Sequence, residues 1–350
     1  MQRATLEGLF GAVESVRQGA EPNETIREAV GHWRCRDAIA LVLAGTRVSA
    51  CDWGVLPGHK FDYGMLWTLL HLGRLLEADA RILAADGQYR AALEVCLAMR
   101  RFASHIGDAT YIMYANAEGV DEWALRTMHS VVGRMPPDPN TLAWLRNELA
   151  STSGVPWRLE QALKGFGDTQ RWFLQKQPQE LVAARERVLS QVKDSGVENR
   201  VADLTPEEML RCAVRSYDEF VTAASKTLGG SLSCKEVYAQ LSQLDDQLNE
   251  KMAAGDPVSL LVNGRSIAAA YYRMHLVATA RENALLVALT LYQVQSETGH
   301  LPDAIPAGLP KDPCGGGAFE YGKTAEGFVL RCASWPWKPN QTQEFEFRLH

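Results

Sequence analysis

Apolar residues recur at three- and four-residue steps from the start of the chain to about Thr298, which is the spacing of one face of an α-helix. The segment 63–85 shows this pattern, with apolar side chains at Leu66, Leu69, Leu70, Leu72, Leu76 and Leu83. Asp86-Gly87 interrupts the pattern, and it resumes at once from Tyr89 to Phe102. Two helical segments joined by so short a break predict an antiparallel helical hairpin.

The turn of this hairpin, "ADGQYRAALE", is similar to the turn between the paired helices of a tetratricopeptide repeat. No self-similarity with a period of about 34 residues accompanies it. The likeness therefore extends to paired helices and not to a repeat array.

Several helix boundaries carry specific signals. Thr205, Pro206 and Glu208 have the spacing of a capping box with proline at the first helical position. After the prolines near residue 136, either Asp138 or Asn140 is expected to cap the next helix. A new helical pattern begins after Asp256-Pro257, and residues 265–298 contain neither proline nor glycine. Such a run predicts a helix about 50 Å long, at about 1.5 Å per residue.

The composition changes at Gly299, where the long helical pattern stops. Prolines at 302, 306 and 310 forbid helix, and Gly315 to Gly317 predict a turn. The runs "AFEYG", "GFVLRCA" and "EFEFRLH" are typical of short strands. A small sheet formed by them would cover the second half of the long helix at Leu286, Leu289 and Val294, because that helix cannot bury its apolar side alone.

These patterns predict a mainly α protein: a multi-helix body of paired antiparallel helices and a small C-terminal antiparallel β-sheet cap on a long helix. The expected divisions are a helical body at 1–200, a helical subdomain at 201–298 and the cap at 299–350. The first boundary lies within the polar region 192–208.

Composition and charge narrow the classes of partner. Apolar residues make up 46% of the 350 residues, charged residues make up 22%, and the formal net charge is -6. These values are ordinary for a folded protein and give no electrostatic reason to expect nucleic acid as a partner. Arg100 and Arg101 are the nearest approach to a basic cluster, and their position on a helix predicts solvated surface.

The location of the protein stays open between two interpretations. No run reaches the roughly 20 apolar residues of a membrane helix, and the first residues lack the pattern of a secretory signal. These features favour the cytoplasm. A disulfide in the tail would instead favour the periplasm or cell envelope.

Seven cysteines are dispersed along the chain without any CxxC pair, which is typical of neither a zinc framework nor a disulfide scaffold. Cys96 and Cys212 lie at helical core spacing and are expected to be inert. Cys314 and Cys332 flank the predicted hairpin and could face each other across it. The sequence leaves open whether they are bridged.

Candidates for chemistry are few, because no HExxH, GxSxG, Walker or GxGxxG motif occurs. His32 and Cys35 with Cys51 and Asp52 could be metal ligands, but no second close pair exists. Trp33 and Trp53 beside them predict buried helix packing, so we expect no metal site.

Three further polar candidates have structural explanations. Asp62, beside His59 in a loop, is expected to cap the helix that follows. His275 lies in an apolar run and predicts a hydrogen-bonded core histidine rather than a base. Glu77 and Arg81 have the spacing of a four-residue ion pair.

Trp335 and Trp337 are the best candidates for a ligand-binding site. Pro336 between them holds the backbone extended and places both rings on similar faces. Packing of the two rings against the helical body is the alternative interpretation.

The tail combines three motifs: a tyrosine near the end of the long helix followed by Gly-x-Leu-Pro, an Asp-Pro-Cys-Gly turn, and a Gly-Phe strand. In this succession it resembles the carboxyl-terminal module of type II secretion pseudopilins. The matching positions are Leu291, Tyr292, Gly299, Leu301, Pro302, Asp312, Pro313, Gly315, Tyr321, Gly327, Phe328 and Leu330. Together with its helical body, the chain also looks like a group of bacterial envelope proteins frequent in planctomycete-type genomes.

The resemblance covers roughly the last 70 residues and has clear limits. Pseudopilins begin with a hydrophobic helix behind a peptidase site, which this chain lacks, and only Glu344 and Glu346 stand where their calcium loop needs carboxylates. It therefore implies a pilin-like cap, without a pilus subunit or a calcium site.

The leading expectation is a non-enzymatic scaffold of the bacterial cell envelope that binds another protein and possesses no cofactor or metal. An association with secretion is a further expectation. A hydrolase with a site assembled from distant residues is one alternative, since such a site leaves no motif. A ligand-binding sensor that uses the tryptophans is another. Asp312, Pro313, Cys314, Gly315 and Cys332 are expected to form the structural turn of the cap.

Overall fold

The computed structural model describes residues 22–49, 51, 63–107, 111–136, 138–151, 159–192, 203–262, 268–332, 335, 337 and 342–349. The chain is mainly helical and ends in a three-stranded antiparallel sheet, as its sequence predicts. The α-helices are α1 Glu24–Gly31, α2 Trp33–Gly45, α3 Tyr63–Ala85, α4 Tyr89–Ile106, α5 Tyr111–Val132, α6 Pro139–Ser151, α7 Leu159–Lys176, α8 Pro178–Val192, α9 Pro206–Leu228, α10 Cys234–Ala253 and α11 Ala268–Thr298. The strands are β1 Glu320–Thr324, β2 Gly327–Arg331 and β3 Glu344–Arg348.

Side chains satisfy the first N–H groups of several helices. Thr205 and Glu208 form the predicted capping box at the start of α9, and Asp138, not Asn140, caps α6. Ser233 and Glu236 form a second capping box on α10. Asp245 acts across space, since its carboxylate accepts the N–H groups of Ala268 at 3.0 Å and Ala269 at 2.9 Å. The start of α11 is therefore held by a neighbouring helix.

The long helix α11 ends where the sequence predicts. A short 3-10 helix at Pro257–Leu260 follows Asp256, and the described part of the α-helix runs for 31 residues. Gly299 then adopts a φ of 79°, a left-handed conformation that glycine adopts without steric cost. This turn directs the chain back toward the helix.

The sheet has the order β1-β2-β3, with both pairs antiparallel. Alternation along β3 buries Phe345 and Phe347 and exposes Glu344 and Glu346. At the start of β2, Gly327 has a φ of 156°, and a Cβ there would lie 2.9 Å from Cα of Arg348. Glycine is therefore required for the close approach of β2 and β3.

The sheet covers α11 through an aromatic contact. The Tyr292 ring lies edge-on to Phe328 at 5.4 Å and to Phe347 at 6.4 Å. Its hydroxyl donates to the carbonyl oxygen of Arg348 at 2.6 Å. Leu289, one of the residues predicted to be covered, is buried beside it. The final strand is therefore fixed to the last three turns of α11.

The buried apolar residues form two groups. The first core joins α1 to α6, the second half of α11 and the sheet. The second core joins α7 to α10, the 3-10 helix and the start of α11. The long helix thus contributes to both cores. The divisions expected at residues 200 and 299 remain predictions, since burial alone does not define units that fold independently.

Candidate functional site

Ion-paired side chains follow one side of α5, at its packed surfaces with α3, α4 and α11. We call this group the charged seam; its members are Arg74, Glu77, Arg81, Arg100, Glu118, Asp121, Glu122, Arg126, His275, Arg281 and Glu282. On α5 the polar positions 114, 118, 122, 126 and 129 differ by three or four residues and so share one helix face. Sequence reasoning missed the seam, although this spacing was a readable signal.

Arg100 is at the centre of the seam and has no exposed surface. Its Nε donates to Oδ1 of Asp121 at 2.8 Å, and its Nη1 donates to Oε1 of Glu282 at 2.9 Å. Burial alone would lower the pKa of Arg100, but the two carboxylates raise it above its ordinary value. The prediction that Arg100 is solvated is wrong, because these partners offset the cost of burying its charge.

Glu77 is a buried carboxylate shared by three arginines. Arg74 approaches it at 3.0 Å, Arg81 at 3.1 Å and Arg126 at 3.4 Å. The predicted pair with Arg81 is confirmed, as one part of a larger network. Asp79, two residues on, faces away and pairs with an arginine of α2.

A second line of polar groups joins α5 to α11. The Tyr114 hydroxyl donates to Oε1 of Glu118 at 2.9 Å, and Nδ1 of His275 lies 3.4 Å from the same oxygen. Nε2 of His275 lies 3.4 Å from the Thr279 hydroxyl. His275 is therefore hydrogen-bonded, as predicted, and half-buried.

The order hydroxyl, imidazole, carboxylate is the order that activates a hydroxyl nucleophile in hydrolases. An acyl-transfer site also needs N–H donors for the developing oxyanion. Thr279 lies within α11, where the described backbone N–H groups bond inside the helix. What the described geometry supplies is a contact between the Glu118 carboxylate and the His275 ring.

His129 connects α5 to the sheet. Its Nε2 donates to the carbonyl oxygen of Glu346 at 2.7 Å, and its ring stacks on Phe347 at 4.3 Å. Nδ1 is buried without a hydrogen-bond partner among the described groups. Burial lowers the pKa of His129 to about 4; the bond to Glu346 opposes the shift and nearby Arg281 adds to it. The imidazole is therefore neutral at neutral pH.

The structure corrects the cysteine pairing considered for the tail. Cys314 is bonded to Cys234 at the start of α10, and Cys332 is a buried free thiol. Asp312 accepts the N–H of Cys314 at 2.9 Å and also lies beside Cys332. Burial raises the pKa of Cys332, and Asp312 raises it further. Cys314 and Cys332 are therefore not bonded to each other, because Cys234 of α10, which is distant in sequence, is the partner of Cys314.

The remaining turn residues lie as expected. The N–H of Gly316 donates to the carbonyl of Asp312 at 2.9 Å, which closes the loop around Pro313 and Gly315. Gly316 takes the positive φ of 68° that this turn needs.

The two candidate tryptophans lie together in the cap. Trp335 is buried in the first core, and its ring lies 4.7 Å from that of Trp337. The Trp337 ring in turn lies 5.3 Å from that of Tyr238 on α10. This placement favours the packing interpretation.

Among the described residues, no group of three possible metal ligands occurs, so His32, Cys35 and Cys51 do not form a metal site there. Nδ1 of His32 instead accepts the N–H of Arg34 at 3.4 Å and caps α2. Cys35 is half-buried. Asp52, His59 and Asp62, with Trp53, lie outside the described residues.

Helix α2 has an unusual exposed surface. Its sequence, WRCRDAIALVLAG, is apolar on all sides from Ile39 onward, yet Ile39 alone is fully buried. Leu41 is 72% exposed and Trp33 is 62% exposed. The prediction that Trp33 is buried is wrong. Trp67 near the start of α3 is also largely exposed.

Two clefts formed by described residues lie away from the seam, on α9 and its neighbours and beside the end of α2. One, of about 360 Å³, lies between α7, α8 and α9 and is lined by Arg171, Leu174, Leu210, Arg211 and Val214 among others. His275, Glu118 and the polar groups bonded to them are not among the residues that line this cleft.

Comparison of the chain with protein-family models, with curated proteins and with solved structures finds no match. Among the described residues, no helix combines the length and the apolar character needed to cross a membrane.

Proposed function

We propose that this protein is a helical scaffold that binds another protein through the outward face of α2. The observation that carries the proposal is the exposure of Leu41 and Trp33 on a helix that is apolar on all sides from Ile39 onward. Large exposed apolar surfaces typically mark sites of protein interaction. Ala40 and Ala44 lie beside Leu41 and have small side chains, so the partner fitted to this face is an apolar helix.

A place in the bacterial cell envelope is supported by two features of the tail. The pseudopilin resemblance falls on the segment that folds as a separate small sheet on the end of α11. The bond between Cys234 and Cys314 is of a kind that persists in oxidising compartments. We therefore propose the periplasm or envelope as its location, the sheet as a cap or docking module, and a secretion-associated assembly as its setting.

A photo-crosslinking amino acid at Leu41, in cells of the native host, tests the binding face. The matched control is the same substitution at Glu219, an exposed residue of α9. We expect a discrete protein adduct at position 41 and none at 219. Adducts only to this chain's own residues 1–21 or 52–62 would show that its own segments cover α2 and would overturn the proposal.

The captured protein then needs to bind through the same face. With both proteins purified, L41S and W33S should each weaken the complex about tenfold, since burying one large side chain contributes about 1.5 kcal/mol or more. Glu219→Gln should leave it unchanged. Equal affinity for all variants would mean that the crosslink reported proximity without recognition.

A hydrolase is the second candidate function, and the placement of His275 between Glu118 and Thr279 favours it. Its test is turnover of short-chain acyl esters by the purified protein. We expect His275→Ala and Thr279→Ala to abolish any such activity. Activity that survives both substitutions would exclude this site as its source.

A further inference from the structure

Four arginines gather at the end of the charged seam that lies nearest the sheet, around two carboxylates. We call this group the arginine cluster; it consists of Arg74 and Arg81 of α3, Arg126 of α5 and Arg281 of α11, with Glu77 and Glu122. Glu77 receives three guanidinium groups, and Glu122 receives Arg126 at 3.9 Å and Arg281 at 3.5 Å. Guanidinium groups therefore outnumber carboxylates in a site that is largely withdrawn from water.

The cluster also contains fewer hydrogen-bond acceptors than donors. A guanidinium carries about five N–H donors, and a carboxylate offers about four acceptor positions. The Nε atoms of Arg81, Arg126 and Arg281 are buried and have no hydrogen-bond partner among the described groups. Buried donors without acceptors are rare in folded proteins, and each one calls for a bound group or a structural reason.

Arg126 and Arg281 have the weakest contacts of the four. Their distances to carboxylate oxygens run from 3.4 to 3.9 Å, beyond the roughly 2.7–2.9 Å of a charge-assisted hydrogen bond. Their side chains remain 27% and 15% exposed, so a small solute can reach their outer N–H groups. Burial lowers the pKa of Arg281, Glu122 opposes this, and Arg126 lowers it further.

The surroundings do not supply the missing negative charge. Trp123 lies against Arg74, with the guanidinium carbon 3.4 Å from the ring centre, and Phe345 lies under Arg281 at 5.6 Å. His129 adds a neutral ring. The carboxylates of Asp121 and Glu282 are paired with Arg100. The seam as a whole is close to neutral, but its positive and negative groups are separated along its length.

We propose that the arginine cluster is a binding site for a small phosphate-type oxyanion, held by the outer N–H groups of Arg126 and Arg281. A phosphate carries about one and a half to two negative charges at neutral pH and three or more strong acceptor oxygens. It supplies the negative charge that the cluster lacks, and its oxygens can accept from the outer N–H groups of both arginines. Planar guanidinium groups are also the side chains best suited to bind such an oxyanion in a bidentate way.

The first test is titration of the full-length protein with inorganic phosphate and, separately, with glycerol phosphate, a phosphate monoester. Sodium chloride at equal ionic strength is the reference. We expect saturable binding by calorimetry or ³¹P line broadening, and a rise in melting temperature that chloride does not reproduce. The tighter of the two probes identifies the source of the phosphate group. Absence of saturable binding by both probes would overturn the proposal without any variant.

The second test locates the site. Arg126→Gln is the first variant, because Arg126 is the most exposed of the four and its loss is least expected to unfold the protein. It should weaken phosphate binding about tenfold or more, as expected for one charge-assisted contact. Arg126→Lys keeps the charge but not the planar guanidinium group, so its affinity for phosphate should lie between those of the parent and R126Q. Arg215→Gln, an exposed arginine of α9, is the control and should bind like the parent. Unchanged binding in R126Q would place the anion elsewhere and refute the proposed site.

Discussion

The two cores of this protein are held by different interactions. The first core encloses charged side chains, including Glu77, Arg100 and Asp121, each paired across helices. In the second core, Asp245 is the one charged residue that is buried among those described, and it caps α11. Buried ion pairs are directional and costly when broken, whereas apolar packing responds to volume. We therefore expect single substitutions to have larger effects in the first core.

The largest effect is expected for Arg100→Gln. Removing this guanidinium leaves Asp121 and Glu282 facing each other without a counter-charge, which should lower the free energy of unfolding by about 3–5 kcal/mol. Urea denaturation measures it. Lys251→Gln is the control, because Lys251 forms an exposed pair with Glu219 at 3.7 Å and should cost no more than about 1 kcal/mol. Equal losses would remove the distinction between the cores.

The disulfide bond between Cys234 and Cys314 joins α10 to the cap. It spans 80 residues, so its loss should lower the free energy of unfolding by about 2–4 kcal/mol. Unfolding with and without a reductant measures this. The double variant Cys234→Ser with Cys314→Ser should already be at the lower stability and should not respond to reductant. A response in that variant would assign the effect to another cysteine.

Acid should weaken the contact between the first core and the sheet through His129. The unfolded histidine binds a proton near pH 6.5, but the folded one does so only near pH 4. Stability from neutral His129 is thus complete above pH 6.5 and is lost as pH falls toward 4, by up to about 3 kcal/mol. The charged neighbours are Arg281 on α11 and Arg126 on α5, with Glu346 on β3.

Carboxylates titrate over part of the same range, so the measurement is the difference between the parent and His129→Gln. Glutamine can still donate to the Glu346 carbonyl but does not titrate. We expect the stability difference between the two proteins to shrink between pH 6.5 and 4. A constant difference would show that His129 does not contribute to the acid response.

The smallest effect is expected in the second core, at Gly167. A Cβ there would lie 2.6 Å from Cδ1 of Tyr217, so Gly167→Ala should destabilise the protein by about 1–3 kcal/mol through overpacking. Gly165→Ala on the same helix is the matched control. Nothing lies within 4 Å of its Cβ, and the change should stabilise α7 by up to about 1 kcal/mol. Melting temperatures that move together would contradict the packing argument.

Much of the architecture was predictable because its signals are local. The capping box at Thr205 and the helix end before Gly299 each depend on residues near one another in sequence, and both are confirmed. The tail strands were also predictable, as short runs between turn residues. Locally encoded conformations of this kind follow from backbone sterics and capping chemistry.

The candidate site was much less predictable. Arg100 reads as a surface residue because its partners, Asp121 and Glu282, lie on two other helices. Trp33 reads as a core residue, since hydrophobicity alone does not say which helix face meets a partner. Cys314 forms a disulfide with Cys234 only because α10 packs beside the cap.

The sequence by itself determined boundaries such as the start of α9 and the end of α11, because those choices are made within a few residues by dihedral preferences, caps and periodicity. Only the tertiary structure decided which charges are buried, which cysteines pair and which apolar face is left uncovered. Those outcomes depend on contacts between residues tens to hundreds of positions apart, such as Arg100 and Glu282, which are separated by 182 positions.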